Sequence, residues 1–231
     1  MSNVLLECHK LSARYGAFRA LKGVSIQFED NQSVALFGHN GSGKSTLLRC
    51  CVGAHREVLG TVTFSGCPVL PGAVHQNVRQ GIGFVPQERN VFKDLAVEKN
   101  LLIAGMASGD SEVDKIYGLF PVLRERRRQI AGTMSGGEQQ MIAFGMALMT
   151  KPRILLLDEP TTGLSPAAAD ILLQTITRVR KAMSIGVILV EHNIPRTLKF
   201  VDRVVVMKMG RIIADTPAAK VSGTQQLWQW F

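Results

Sequence analysis

The stretch Gly38-His39-Asn40-Gly41-Ser42-Gly43-Lys44-Ser45-Thr46 decides the fold. It fits the pattern G-x-x-x-x-G-K-[ST] and follows Ser33-Val34-Ala35-Leu36-Phe37, an apolar run typical of a buried parallel strand. The glycines let backbone N–H groups curl around a phosphate, and a helix predicted from Lys44 to about Val52 adds the positive end of its dipole. Because the pattern is rare and lies between a strand and a helix, it predicts a phosphate-binding P-loop rather than an ordinary glycine-rich turn.

Two carboxylates at the end of a second apolar run support the prediction of a phosphate site. Residues 154–157 are Ile-Leu-Leu-Leu, and Asp158 and Glu159 follow them. In open α/β sheets, ligands bind at the carboxyl ends of the strands. In a P-loop protein the acid at this position helps to hold Mg²⁺ together with the Ser45 hydroxyl, which assigns Asp158 to the metal. Glu159 is then free to polarise an attacking water, while Lys44 reaches the β- and γ-phosphates.

The remaining pattern alternates between strands and helices. Short strands are predicted within residues 5–28, and further strands over 60–64, 82–85, 187–190 and 204–207. A helix is predicted from about Pro166 to Met183. This alternation implies a parallel α/β sheet covered on both faces. Helical periodicity over about residues 89–150 interrupts it, so we expect a helical lobe inserted into a single domain that spans residues 4–231.

A third element lies between the P-loop and the paired carboxylates. Met134-Ser135-Gly136-Gly137-Glu138 precedes an apolar helix over residues 141–149. Small residues at a helix start leave N–H groups free and predict a second anion site. The stretch resembles the LSGGQ signature of ABC ATPases, with Met in place of Leu and Glu in place of Gln.

The resemblance implies a role for several further residues. Tyr15 is similar to the aromatic residue that stacks on adenine, and Gln87 to the glutamine that senses Mg²⁺ and the attacking water. His192 resembles the histidine that contacts the γ-phosphate, and Ser135 to Gly137 would bind nucleotide. His39 belongs to the nucleotide-binding loop at a position that varies in the family, so its side chain is interpreted as a bystander.

The resemblance covers about residues 5–215 and implies a fold and an activity. The fold would be that of the P-loop NTPases, a RecA-like parallel sheet with an N-terminal antiparallel β subdomain and an inserted α-helical lobe. The activity would be ATP hydrolysis with ATP and Mg²⁺ as ligands. The implied catalytic residues are Lys44, Gln87, Glu159 and His192, and the implied metal site comprises Ser45, Gln87 and Asp158.

The resemblance also implies partners and a location. We expect two membrane-spanning permease subunits, a second ATPase subunit that is a copy or a sister of this chain, and a solute-binding protein. The chain would lie at the cytoplasmic face of the cell membrane as a peripheral subunit. Its apolar lobe surface around Phe92, Leu95 and Val97 is predicted to dock on the permease.

Several stretches resemble the ATPase subunits of branched-chain amino acid importers in particular. These stretches are residues 81–86, 91–98 and 163–166. They imply import of branched-chain amino acids or similar small solutes, although the solute contacts belong to other chains. Two stretches depart from that pattern: Pro86-Gln87-Glu88-Arg89 replaces Pro-Glu-Gly-Arg, and the tail Leu227-Trp228-Gln229-Trp230-Phe231 is unfamiliar. The tail is expected to pack on the core or, as the alternative, to contact a partner.

Charge and cysteine usage narrow the class of protein. The net charge of +9 suits polyphosphate, nucleic acid or anionic lipid, and does not choose among them. The densest cluster, residues 124–128, has no interleaved aromatics and is interpreted as a solvated helix end, so no nucleic-acid partner is expected. No secretory signal or membrane span is predicted, and Cys50 and Cys51 are expected to be buried.

Two alternatives to a transport ATPase stay open. The first is an ABC-type ATPase that acts outside transport, in translation or DNA repair. The second is a nucleotide-binding module without catalysis, which loss of Lys44, Glu159 or His192 would have favoured; all three are present.

Overall fold

The structure is a computed structural model that describes residues 4–221 apart from residues 89, 107 and 110. The strands are β1 Val4–Tyr15, β2 Phe18–Glu29, β3 Ser33–Phe37, β4 Val58–Phe64, β5 Cys67–Pro68, β6 Ile82–Val85, β7 Ile154–Asp158, β8 Gly186–Val190, β9 Arg203–Lys208 and β10 Arg211–Pro217. The helices are α1 Lys44–Cys51, α2 Val74–Arg79, α3 Val97–Met106, α4 Val113–Leu119, α5 Pro121–Glu125, α6 Gly136–Met149, α7 Pro166–Met183 and α8 Ile194–Thr197.

A six-stranded sheet forms the centre of the molecule, in the order β10-β9-β3-β8-β7-β6. The pairs from β9 to β6 are parallel, and β10 adds an antiparallel edge. Every residue of β3, β7 and β8 is buried, which explains their nearly continuous apolar sequences. Alternate side chains of these strands enter two hydrophobic cores, one on each face of the sheet.

A second sheet covers one of those faces. It is antiparallel with the order β2-β1-β4-β5, and its inward side chains pack with α1 into one hydrophobic core. The free thiols of Cys8 and Cys51 lie in that core with their sulfur atoms 3.7 Å apart. Burial raises the pKa of the neighbouring Cys50 thiol to about 12, so this thiol stays protonated at neutral pH.

The chain between β6 and β7 forms the helical lobe on the other face. Helices α3 to α6 share a core with that face of the sheet and with α7. Asn100, completely buried in α3, accepts a hydrogen bond from the Phe92 amide and donates to the carbonyls of Phe92 and Ala96. These bonds hold residues 92–96 against α3, and they satisfy a buried amide that would cost about 1–3 kcal/mol if it were left unpaired.

The fold class predicted from the sequence is confirmed, with local differences. The antiparallel strand β10 and the short helix α2 were not predicted, and α6 begins at Gly136 rather than at Met141. Cys50 and Cys51 are buried, and the side chains of Arg126, Arg127 and Arg128 are exposed, as expected. The tail 227–231 lies outside the described residues.

Candidate functional site

The candidate site lies at one edge of the central sheet, where four neighbouring strands end. The P-loop follows β3, Gln87 follows β6, Asp158 and Glu159 close β7, and His192 follows β8. Because these strands are parallel, their carboxyl ends meet at the same edge. The topology therefore gathers residues that are more than a hundred positions apart in the chain.

The P-loop passes so close to other backbone that two positions require glycine. A Cβ atom on Gly38 would lie 2.2 Å from the Met207 carbonyl oxygen, and Gly38 has φ +150°. A Cβ atom on Gly43 would lie 2.8 Å from the Ala20 carbonyl oxygen, and Gly43 has φ +103°. Any side chain would clash at these positions and strain the backbone. The glycines thus keep the loop folded over the end of β3.

Lys44 lies inside this loop. Its ammonium group donates hydrogen bonds to the carbonyl oxygens of Gly38, at 2.7 Å, and His39, at 3.0 Å. Burial lowers the pKa of Lys44, and the carboxylates of Glu159 and Asp158 act in the opposite direction. Helix α1, which begins at Lys44, has neither a side-chain cap nor an acidic residue in its first turn. The N-terminus of α1 therefore keeps the partial positive charge of the helix dipole, which can bind an anion.

Ser45 and Asp158 form the part of the site suited to a cation. The Ser45 hydroxyl donates to Asp158 Oδ1 at 2.8 Å, and Asp158 is almost completely buried. Burial raises the pKa of Asp158, while the hydrogen bond from Ser45 lowers it. One hydroxyl and one carboxylate are the hard oxygen donors that Mg²⁺ accepts when phosphates and water supply the remaining ligands. The residues present fit a magnesium ion bound together with a phosphate.

Glu159 stands at the centre of a polar cluster. Its Oε2 accepts hydrogen bonds from Gln87 Nε2, at 2.6 Å, and from the Thr162 hydroxyl, at 3.1 Å. Its Oε1 lies 2.7 Å from His192 Nε2. Glu159 also has φ +51°, a left-handed conformation that few residues other than glycine adopt. Such strain is typical of functional sites, and here it accompanies a carboxylate held by three side chains.

A cleft of about 290 Å³ joins most of the predicted residues. Its lining comprises Tyr15, Phe18, Ala20, Asn40, Gly41, Gly43, Lys44, Ser45, Thr46, Gln87 and Glu159. Tyr15 is 45% exposed and its ring lies 4.6 Å from that of His55, while Phe18 is 62% exposed and pairs with Tyr15 across the β1–β2 hairpin. Two exposed rings beside a phosphate-binding loop offer stacking surfaces for a planar base.

Ser135, Gly136 and Gly137 do not line this cleft. Gly136 instead lines a second cleft of about 420 Å³, together with Gln87, Gln139, Gly163 and others. Ser135 caps α6 in a capping box, since its hydroxyl accepts from the Glu138 amide and the Glu138 carboxylate accepts from the Ser135 amide. The two predicted anion sites of one chain thus lie in separate clefts that share Gln87.

Three residues of this region were missed by the sequence analysis. Phe18 lines the P-loop cleft, Thr162 donates to Glu159, and Glu191 is a buried carboxylate beside His192. The apolar Phe18 next to the Tyr15-Gly16 turn was the one available signal. Glu191 becomes recognisable only when β7 and β8 are known to be neighbours, because its partner Thr161 is 30 residues away, whereas Thr162 contacts Glu159 within the same turn.

Comparisons with known proteins place the chain in a family. The sequence pattern of the ABC transporter family matches residues 21–162. A high-affinity branched-chain amino acid transport ATP-binding protein of Pseudomonas aeruginosa is 41% identical over 93% of this chain and 94% of its own length. A probable branched-chain amino acid transport ATP-binding protein of Archaeoglobus fulgidus is 38% identical over 90% of each chain.

The fold is also found in a solved structure. The crystal structure of a nucleotide-free ATP-binding cassette from an ABC transporter superposes with a TM-score of 0.87 and 26% identity, over 99% of both chains. The similarity therefore extends over the helical lobe and both sheets.

The two aromatic rings of the cleft generate a test. We expect Tyr15→Ala to weaken ATP binding about tenfold or more, because base stacking on a ring contributes about 1–3 kcal/mol. Tyr15→Phe keeps the ring and should bind within about twofold of wild type. Phe18→Ala, measured in the same calorimetric titration, reports whether the second ring also holds the base. Unchanged affinity of Tyr15→Ala would contradict the assignment of Tyr15 to the base.

Proposed function

The chain belongs to the ABC transporter family as an ATPase subunit, and from this premise we propose that it binds Mg²⁺-ATP in the P-loop cleft, hydrolyses it there, and drives solute transport through separate membrane-spanning subunits. The observation that carries this proposal is the position of Glu159, which lines the same cleft as Lys44 and contacts Gln87 and His192. A phosphate site and a poised carboxylate in one cleft are the two parts that hydrolysis needs.

Each residue of the cleft has a proposed role. Lys44 and the loop amides bind the β- and γ-phosphates, and Ser45 and Asp158 hold Mg²⁺, which when bound neutralises charge on the phosphate oxygens. Glu159 orients the attacking water and accepts its proton. Gln87 and His192 hold the Glu159 carboxylate, and we assign them to the water and to the γ-phosphate respectively.

The proposed cargo is a branched-chain amino acid or a similar small solute, and the proposed direction is import. Support comes from two relatives that are at least 38% identical and whose names give branched-chain amino acid transport. A solute-binding protein and two permease subunits would complete the transporter. A role outside transport, in translation or DNA repair, finds no support in these relatives.

We propose that the chain works at the cytoplasmic face of the membrane, held there by its permease partners. Over the described part of the chain, no helix has the length and apolar character to cross a bilayer. The basic composition alone would also suit direct attachment to anionic lipid, so lipid binding is the rival to be tested.

The permease-binding surface predicted on the lobe needs one correction, which concerns Val97. Val97 is 0% exposed and belongs to the lobe core, so it cannot contact a partner, whereas Phe92 is 48% exposed.

An apolar cleft of about 220 Å³ offers a surface for a partner, with Phe84, Pro86, Ala104 and Met146 in its wall. We propose that a helical segment of a permease subunit occupies this groove. Since Pro86 precedes Gln87, an occupant would contact the segment that reaches Glu159.

The first test separates the two adjacent carboxylates. We expect Glu159→Gln to keep ATP affinity and to lose turnover by about 10²-fold or more, because the amide keeps the shape but cannot accept a proton. Asp158→Asn should instead raise the Mg²⁺ concentration needed for ATP binding, because it weakens the metal site. Turnover of Glu159→Gln within a few-fold of wild type would show that another group activates the water.

The second test asks whether Ser135 covers the nucleotide of a partner chain, as the separate clefts suggest. Lys44→Ala and Ser135→Arg are each expected to be inactive alone. In a mixture, a head-to-tail mixed dimer holds one doubly damaged and one intact site, so activity should return to about a quarter of wild type at most.

Two controls are needed to interpret the mixing experiment. Each variant is assayed alone at the same total concentration, and mixed dimers are verified by pull-down with one tagged variant in the Glu159→Gln background. Mixed dimers without any recovered activity would overturn the trans arrangement. If no dimers form with Mg²⁺-ATP, a sister subunit replaces the second copy.

The third test addresses the groove. Ala104→Trp should fill it and reduce binding to membrane vesicles that carry the permease by about tenfold, while Lys99→Trp on the exposed face of α3 serves as the matched control. Both variants should keep basal ATPase activity. Equal binding of the two variants would show that the groove is not part of the permease-binding surface. Binding to protein-free anionic vesicles that salt reverses would favour direct lipid attachment.

A further inference from the structure

We propose that Glu191 is a positioning residue of this ATPase: its buried carboxylate ties Thr161 to His192 and thereby holds the Glu159–His192 pair in place. The inference rests on the proposed function, since it concerns how the catalytic carboxylate is held. Glu191 does not line the P-loop cleft, and we propose no contact between its side chain and ATP.

Both oxygens of the Glu191 carboxylate are engaged. Oε1 accepts a hydrogen bond from the Thr161 amide at 3.0 Å, and Oε2 accepts from the Thr161 hydroxyl at 2.8 Å and from the His192 amide at 3.3 Å. The residue is only 3% exposed. A buried carboxylate is costly unless donors surround it, and these donors come from two different segments of the chain. The carboxylate therefore acts as a bridge between them.

The bridge lies directly behind the catalytic pair. Glu191 immediately precedes His192, and Thr161 comes two residues after Glu159. The Glu159 amide also donates to the Val190 carbonyl at 3.1 Å, so the ends of β7 and β8 are joined by backbone and by side chain. The 2.7 Å contact between Glu159 Oε1 and His192 Nε2 depends on the separation that these bonds set.

The same segment continues to the Ser135–Gly137 stretch. The Leu164 amide donates to the Thr161 carbonyl at 3.1 Å. The Leu164 side chain lies against the glycine pair, since Cβ atoms on Gly136 and Gly137 would be 3.7 and 3.9 Å from its Cδ2 atom. Glu191 thus anchors Thr161 at one end of this turn. Leu164 at the other end packs on Gly136 and Gly137, which belong to the stretch proposed to cover the nucleotide of a partner chain.

The chemistry of the bridge calls for a carboxylate. All three groups that face Glu191 are donors or can donate, and an ionised carboxylate is a pure acceptor. A glutamine in its place would turn its NH₂ group toward either the Thr161 amide or the His192 amide, so one of these two N–H groups would lose its acceptor.

Three variants at Thr161 and Glu191 test the bridge. Thr161→Val removes the hydroxyl donor, whereas Thr161→Ser keeps both donors and is the matched control. We expect Thr161→Ser to turn over ATP within about twofold of wild type, and Thr161→Val and Glu191→Gln to lower kcat about tenfold or more. ATP affinity should stay within about twofold in all three, because the altered groups lie outside the cleft. Circular dichroism at the assay temperature verifies that each variant is folded.

A double-mutant cycle distinguishes positioning from a purely structural effect. If the bridge acts through His192, Thr161→Val should change kcat by less than about twofold in the His192→Ala background. Additive losses, or a fall in ATP affinity equal to the fall in kcat, would overturn the proposal, as would wild-type turnover of Thr161→Val. Glu159→Gln is measured alongside: if it keeps turnover, the proposed function itself fails, whereas an inactive Glu159→Gln beside an unaffected Thr161→Val removes the bridge alone.

Discussion

The rest of the site depends on the close fit of the P-loop between β3 and the backbone that covers it. The Met207 carbonyl oxygen leaves no room for a Cβ atom at Gly38, and the Ala20 carbonyl leaves none at Gly43. Because the loop is confined in this way, Lys44 can donate to two loop carbonyls while α1 begins without a side-chain cap. The positive helix end and the ammonium group then face the same space, which is the condition for binding a polyphosphate.

The central sheet supplies the other polar groups at that edge. Strands β6, β7 and β8 end at the same edge of the sheet as β3, and they deliver Gln87, the Asp158–Glu159 pair and His192, respectively. The antiparallel sheet adds Tyr15 and Phe18 from its first hairpin. Neither sheet could form the cleft by itself, because the phosphate-binding loop belongs to one and the two rings belong to the other.

Sequence reasoning succeeded where a local pattern determines the structure. Strands β3, β7 and β8 are buried on both faces, so their apolar runs were visible in the sequence. It failed where only the packing decides. Val97 is buried while Ile103 on the same helix is exposed, and an apolar letter does not reveal which face of α3 turns inward. Glu191 could not be interpreted at all, because its partner Thr161 lies 30 residues away and becomes a neighbour only through the pairing of β7 with β8.

The arrangement of the two clefts explains why a single chain is an incomplete ATPase under the proposed mechanism. The start of α6 lines a cleft separate from the one that contains Lys44, yet Gln87 belongs to both. Thr162 connects them a second time, because it donates to Glu159 and also lines the second cleft. A ligand in either cleft would therefore contact a residue that holds the Glu159 carboxylate. Coupling between two nucleotide sites then requires no long pathway, since Gln87 and the turn after Glu159 already touch both.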